Sequence, residues 1–230
     1  MRHSRPLVIV TQSRMGDART ELFEIEHTPV IKTERLPFND KIFDVDYEWL
    51  VLTSPNSVEH FIPFLNRVNY KRLASIGRKT SQVMRNYGLN VDFEPSGYTQ
   101  EKFMEEFEVQ KDERILYPVS TNARPLMYNH LVEAGADVVR LKLYRPVPNE
   151  ESLGRIERLM ETSPYAVTFS SPSGVDVFMN WFGPEKLENI IVVAIGHVTH
   201  DALKKYHVES IQPEKETLQN MFALIENGTK

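Results

Sequence analysis

Two stretches of this chain combine hydroxyl groups, proline and apolar residues in a pattern that could hold an anion. The first reads Val51-Leu52-Thr53-Ser54-Pro55-Asn56-Ser57-Val58 and the second Thr168-Phe169-Ser170-Ser171-Pro172-Ser173-Gly174-Val175. A serine at the N-cap followed by proline marks a helix start, because proline gives up an amide that had no helical partner anyway. Behind each start runs an apolar stripe at i, i+3, i+4, i+7: Val58, Phe61, Ile62, Leu65, then Val175, Phe178, Met179, Phe182. Each copy therefore predicts a strand, a tight turn and a helix N-terminus. Such an end offers free backbone N–H groups and the positive end of the helix dipole to an anion. At any single position the same residues are also what an ordinary helix start prefers.

The duplication continues downstream. Leu73-Ala74-Ser75-Ile76-Gly77-Arg78-Lys79-Thr80 is answered by Val192-Val193-Ala194-Ile195-Gly196-His197-Val198-Thr199, and the stripe Thr80, Val83, Met84, Tyr87 by Thr199, Ala202, Leu203, Tyr206. The two Ser-Pro serines are 117 residues apart and the two glycines 119, a small insertion within a duplicated domain.

Alternating strand and helix patterns must position these turns. The expected order is strand Leu7–Thr11, a helix at Asp17–Glu26, an extended run to Leu36, strand Glu48–Thr53, the first Ser-Pro helix, strand Leu73–Ile76, a helix at Thr80–Tyr87 and strand Asn90–Glu94. A helix capped by Thr99, strand Arg114–Tyr117, a helix at Asn122–Glu133 stopped by Gly135 and an extended run Val138–Tyr144 come next. Helix Leu153–Glu161, the second copy and a final helix capped by Thr217 complete the chain. This alternation predicts α/β architecture with parallel sheets covered on both faces. In repeat terms the order is A (1–36), B (44–110), A′ (112–148), B′ (149–230). Either AB is followed by A′B′, or B with A′ is inserted into A with B′; the pattern alone fits both.

Composition narrows the classes. With 41% hydrophobic and 26% charged residues the chain suits a globular protein, and 230 residues can bury one large core or two ordinary ones, of which the repeat favours two. The absence of cysteine excludes disulfides, thiolate catalysis and cysteine-held metals, and fits a cytoplasmic enzyme. Arg2, His3 and Arg5 make a basic N-terminus, but only Leu7–Val10 follow as an apolar run, too short for a signal peptide. No run approaches membrane-spanning length, and a net charge of −5 argues against nucleic-acid binding. No Gly-x-Gly-x-x-Gly or Walker pattern provides a nucleotide phosphate loop, and neither Ser-Pro serine sits in a nucleophile elbow. His197 and His200 lack a third ligand nearby, so no metal is expected. What remains are the helix N-termini at the C-terminal ends of parallel strands, where open α/β sheets bind ligands. If two domains faced each other, those ends would line a cleft suited to a substrate with many carboxylates.

Taken together, these residues resemble the uroporphyrinogen-III synthase family over essentially the whole chain. The resemblance is carried by Thr53-Ser54-Pro55-Asn56-Ser57-Val58, Ser170-Ser171-Pro172-Ser173-Gly174-Val175, Ala194-Ile195-Gly196 with Thr199, and Leu131, Gly135, Ala136 and Val138 leading to Leu143-Tyr144-Arg145. It implies two similar doubly wound parallel-sheet domains, one inserted into the other. The first would comprise residues 1–35 with 149–230 and the second 38–142, joined by a two-stranded linker at about 33–37 and 143–148. It also implies a cyclising hydro-lyase that closes hydroxymethylbilane with loss of water and inversion of the last pyrrole ring through a spiro intermediate. The enzyme would be a monomer without cofactor or metal, in transient contact with the preceding pathway enzyme. Tyr144 would be the proton donor, while Thr80 and Thr199 would contact substrate carboxylates with the neighbouring Gly196 amide. Ser54, Asn56, Ser171 and Ser173 would bind substrate, and Arg124 would stand in for an arginine of a glycine-rich turn. Two departures stand out: Thr11-Gln12-Ser13 with Arg14 displaced, where the family begins Thr-Arg-Pro, and Ser120-Thr121-Asn122-Ala123-Arg124 without the glycine. The competing readings are a non-catalytic two-domain α/β protein that binds a small polyanion, and, more remotely, a pair of flavodoxin-like regulatory domains.

Overall fold

Short β-branched and aliphatic runs form the strands, and amphipathic stretches form the helices that cover them. A computed structural model describes residues 5–97 and 99–228, so Arg2 and His3 lie outside the described residues. The strands are β1 (Leu7–Val10), β2 (Glu24–His27), β3 (Ile31–Arg35), β4 (Asp46–Leu52), β5 (Asn69–Ser75), β6 (Arg114–Ser120), β7 (Asp137–Pro148), β8 (Ala166–Phe169) and β9 (Ile191–Ala194). The α-helices are α1 (Pro55–Phe61), α2 (Arg78–Asn86), α3 (Gln100–Glu106), α4 (Leu126–Glu133), α5 (Glu150–Met160), α6 (Pro172–Phe182), α7 (His197–Lys204) and α8 (Leu218–Asn227).

The chain divides into two compact units, Met1–Lys32 with Val147–Lys230 and Thr33–Pro146. The second is one continuous run between the two parts of the first, and the chain passes between them within β3 and within β7, which are neighbours in one sheet.

In the first unit the strand order is β2-β1-β8-β9, every adjacent pair parallel. Ile9, Val167, Phe169, Val192 and Ala194 pack with residues of α5, α6 and α7, while Val8, Val10, Ala166 and Val193 pack with α8. The second unit has order β3-β7-β6-β4-β5. There Leu50, Leu52, Leu73 and Leu116 meet Val58 and Phe61 of α1 and Met84 of α2, and Trp49, Val51, Ile115, Tyr117 and Val119 meet Phe103 of α3 and Met127 of α4. Both sheets are thus covered on both faces, which is why the interior strands β4, from Trp49 to Leu52, and β8 are buried throughout. The expected α/β class with parallel sheets is borne out.

One expected element is absent. Residues 17–23 form no helix, and Glu24–His27 instead add strand β2 beside β1. Gly16 at φ 61° turns the chain, and side chains satisfy the local backbone: Gln219 bonds both the N–H and the carbonyl of Arg19, and Arg5 donates to the Glu21 carbonyl. Only Ala18 and Phe23 of that segment are buried, too few for a helical stripe. The expected strand Asn90–Glu94 reduces to a single bridge between Phe93 and Ala74.

A bulge matters for the site. The β6–β7 register runs evenly to Val119 opposite Lys142, then pairs Ser120 with Tyr144, so Leu143 is the extra residue. Leu143 and Tyr144 consequently share one apolar cluster instead of alternating across the sheet.

Candidate functional site

The duplicated turns have nearly superimposable local chemistry. Ser54 and Ser171 both cap their helices from extended backbone, their hydroxyls accepting from the N–H of Ser57 (3.0 Å) and Gly174 (3.2 Å). Ser57 completes a capping box by accepting from the Ser54 N–H at 3.0 Å. Thr80 and Thr199, each 3% exposed, donate their N–H to Gly77 and Gly196 at 3.0 and 3.1 Å. Both threonines are therefore packed inward, in the first turns of α2 and α7.

The two copies differ in what lies over those turns. In the second unit, Thr53, Ser54, Pro55, Ile76, Gly77, Arg78, Lys79 and Thr80 line a cavity of about 550 Å³ at the C-terminal ends of β4 and β5. This is where a parallel sheet offers its helix N-termini to a ligand. Arg78 and Lys79 are exposed, and neither has an ion-pair partner among the described residues. Two cations in the first turn oppose the α2 dipole, a cost that an anion bound there would offset. In the first unit the corresponding residues are His197 and Val198. There the Glu216 carboxylate lies against Gly196 and 3.6 Å from His197 Nδ1.

Tyr144 adjoins the cavity through Ser54: the two hydroxyl oxygens are 2.9 Å apart. The phenol is 6% exposed, and burial raises its pKa while the Ser54 hydrogen bond works against that rise. It therefore stays protonated at neutral pH and can give a proton but not readily take one. The His60 ring stacks on Tyr144, centroids 4.9 Å apart and planes 19° off parallel, and His60 Nε2 lies 2.7 Å from Thr33 Oγ1.

The remaining expected residues stand as follows. Asn56 is half-buried in the first turn of α1. Ser173 is exposed, its hydroxyl 3.3 Å from that of Ser171. Arg124 is exposed on the segment after β6, 3.5 Å from Glu101, and does not line the cavity. His197 and His200 do not converge on a common ligand: His197 faces Glu216, and His200 Nδ1 lies 2.8 Å from Ser210 Oγ. Among the described residues no group of three or more His, Asp or Glu is placed to hold a metal ion, and no helix is long and apolar enough to cross a membrane.

The family model described as uroporphyrinogen-III synthase HemD matches residues 18–223. The chain belongs to the uroporphyrinogen-III synthase family. Over 236 residues it is 27% identical to a Methanocaldococcus jannaschii protein provisionally named uroporphyrinogen-III synthase, with 95% of this chain and 97% of the relative covered. The chloroplastic uroporphyrinogen-III synthase of Oryza sativa is 27% identical over 227 residues, covering 90% of this chain and 74% of the relative. The solved uroporphyrinogen-III synthetase of Helicobacter pylori shares the fold, with TM-score 0.65 at 15% identity over 96% of this chain and 99% of that one. The family resemblance and the enzymatic reading are borne out, and a non-catalytic binding module is not favoured.

Within this family frame, sequence reasoning passed over Arg78, Lys79, His60 and Glu216. For Arg78 and Lys79 a signal was present: they break the duplication, a cation pair where the other copy has His197 and Val198. His60 and Glu216 gave none, because their partners are distant in the chain.

Proposed function

We propose that this chain turns hydroxymethylbilane into uroporphyrinogen III, with Tyr144 as proton donor and the cavity at the ends of β4 and β5 holding part of the substrate. The observation that carries this reading is the buried, protonated Tyr144 phenol, hydrogen-bonded at 2.9 Å to the cavity residue Ser54. The C–O bond of the terminal hydroxymethyl group breaks as the pyrrole nitrogen pushes electrons out, and the oxygen leaves as water with the Tyr144 proton. The substituted carbon of the last ring attacks the resulting azafulvene, giving the spiro intermediate, which fragments and recloses with that ring inverted. Rearomatisation releases the proton that restores the phenol, so the sequence is redox-neutral. Electron-rich pyrroles drive the bond changes, leaving the protein chiefly to fold and hold the substrate.

Arg78 and Lys79 supply charge to substrate carboxylates, with the α2 amides and Thr80 behind them. Ser171, Ser173, Gly196 and Thr199 form the corresponding turn of the other unit, and Asn56 and Arg124 lie at the periphery of this assignment. We further propose a cytoplasmic monomer that takes its substrate from the preceding enzyme by transient contact. The cysteine-free composition is compatible with a reducing compartment, and size-exclusion chromatography of the pure protein tests the monomer.

The deciding experiment generates hydroxymethylbilane in situ, adds this protein and separates the oxidised products. Uroporphyrin III in proportion to protein is the expected result; uroporphyrin I alone, the product of spontaneous closure, would overturn the reading.

A further inference from the structure

We infer, resting on the proton-donor role proposed above for Tyr144, that His60 is a positioning residue that sets the Tyr144 ring and ties both connecting strands to α1. Three contacts converge on His60. Its ring covers one face of Tyr144 at 4.9 Å and 19°, its Nε2 is 2.7 Å from Thr33 Oγ1, and it sits in the last turn of α1, the helix capped by Ser54. Ser54 in turn holds the Tyr144 hydroxyl at 2.9 Å. The phenol is therefore gripped at its oxygen by one end of α1 and on its ring face by the other.

The partners of His60 have a topological meaning. Thr33 is the residue at which the chain enters the second unit, and Tyr144 lies two residues before it leaves at Pro146. One imidazole thus contacts the incoming strand β3 and the outgoing strand β7. Burial, and after it the charge of Arg35, favours the neutral ring, with Glu59 opposing. A neutral imidazole stacks on the phenol without adding a charge beside the proton to be donated. The hydrogen bond to Thr33 fixes the plane of the imidazole, and the stack passes that plane to Tyr144. A donor misplaced by even 1 Å loses on the order of 100-fold in rate.

The test is a double-mutant cycle with hydroxymethylbilane generated in situ, reading kcat, KM and the ratio of type III to type I product. His60→Leu, which keeps apolar volume but removes stack and hydrogen bond, should lower kcat roughly 10- to 100-fold with little change in KM. In a Tyr144→Phe background the same change should cost nothing further, because His60 acts through the phenol. His60→Phe keeps the stack and should recover most of the lost turnover. Should His60→Leu fail to fold, Thr33→Val removes the hydrogen bond at nearly constant volume and should give a smaller loss that likewise vanishes beside Tyr144→Phe. An unchanged kcat in His60→Leu, or a loss that adds in full to that of Tyr144→Phe, would overturn the positioning role while leaving the donor role standing. An unchanged kcat in Tyr144→Phe itself would overturn the donor role, and the positioning role with it.

Discussion

The Glu216 carboxylate occupies the space in front of Gly196, so that a Cβ built on that glycine would clash with Oε1. The start of α7 thus carries an anion of the protein's own, while the start of α2, its counterpart, carries Arg78 and Lys79. A duplicated turn has been given opposite charge in its two copies, one neutralised from within and one left to be neutralised from outside.

Glu216→Gln should therefore weaken the first unit slightly, by about 0.3–1 kcal/mol at low ionic strength, since it removes a negative charge from a helix N-terminus. The difference should shrink as salt is added. Thermal melts of both proteins at two salt concentrations check it.

Arg78→Ala and Lys79→Ala should move stability and substrate binding in opposite directions. Removing a cation from the first turn of α2 relieves the dipole and should leave Tm unchanged or slightly raised. Losing an exposed charge for the substrate should raise KM roughly two- to fivefold at each position with kcat nearly constant. Steady-state kinetics alongside a melt reads both, and a fall in kcat without a rise in KM would contradict the assignment.

Ser54→Ala should cost about 1 kcal/mol, because the α1 cap is lost. It should also lower kcat, because Tyr144 loses the partner of its hydroxyl. Ser54→Thr retains an oxygen at the cap and should restore most of both. Chemical denaturation and turnover measured on the same preparations separate the two effects.

The depressed pKa of His60 predicts a pH dependence with a definite sign. Below the ordinary histidine value of about 6.5 the unfolded chain binds a proton at this position that the folded chain resists. The stability that neutral His60 contributes is present above that value and is lost as pH falls through the lower, folded value. Wild-type protein should lose more stability between pH 7 and pH 5 than His60→Phe does. Urea unfolding of both at several pH values measures the difference; parallel curves would refute it.

How far these features could be read in advance depended on how local their causes are. Ser54, Ser171 and Thr217 were legible as caps because an N-cap involves only the next three residues. Apart from β2, the strands of both sheets were legible as apolar or extended runs, and the repeat exposed the correspondence of Thr80 with Thr199. Residues 17–26 misled because Leu22, Phe23 and Ile25 imitate a stripe, while the groups that decide the segment, Gln219 and strand β1, lie elsewhere in the chain. Tyr144 was identified by family likeness, but its stack on His60 spans 84 positions and its aim depends on a bulge that no side-chain pattern announces.

The inserted arrangement also sets an order of assembly on the ribosome. Strand β1 ends at Val10, yet its neighbour β8 begins only at Ala166. At usual rates of synthesis that interval lasts on the order of ten seconds or more, during which the whole of Thr33–Pro146 has emerged and can fold as a unit. Val8, Ile9 and Val10, all fully buried in the finished protein, wait through that time without their central partner. Strand β1 is thus completed only when β8 emerges, after the whole of the second unit has been made.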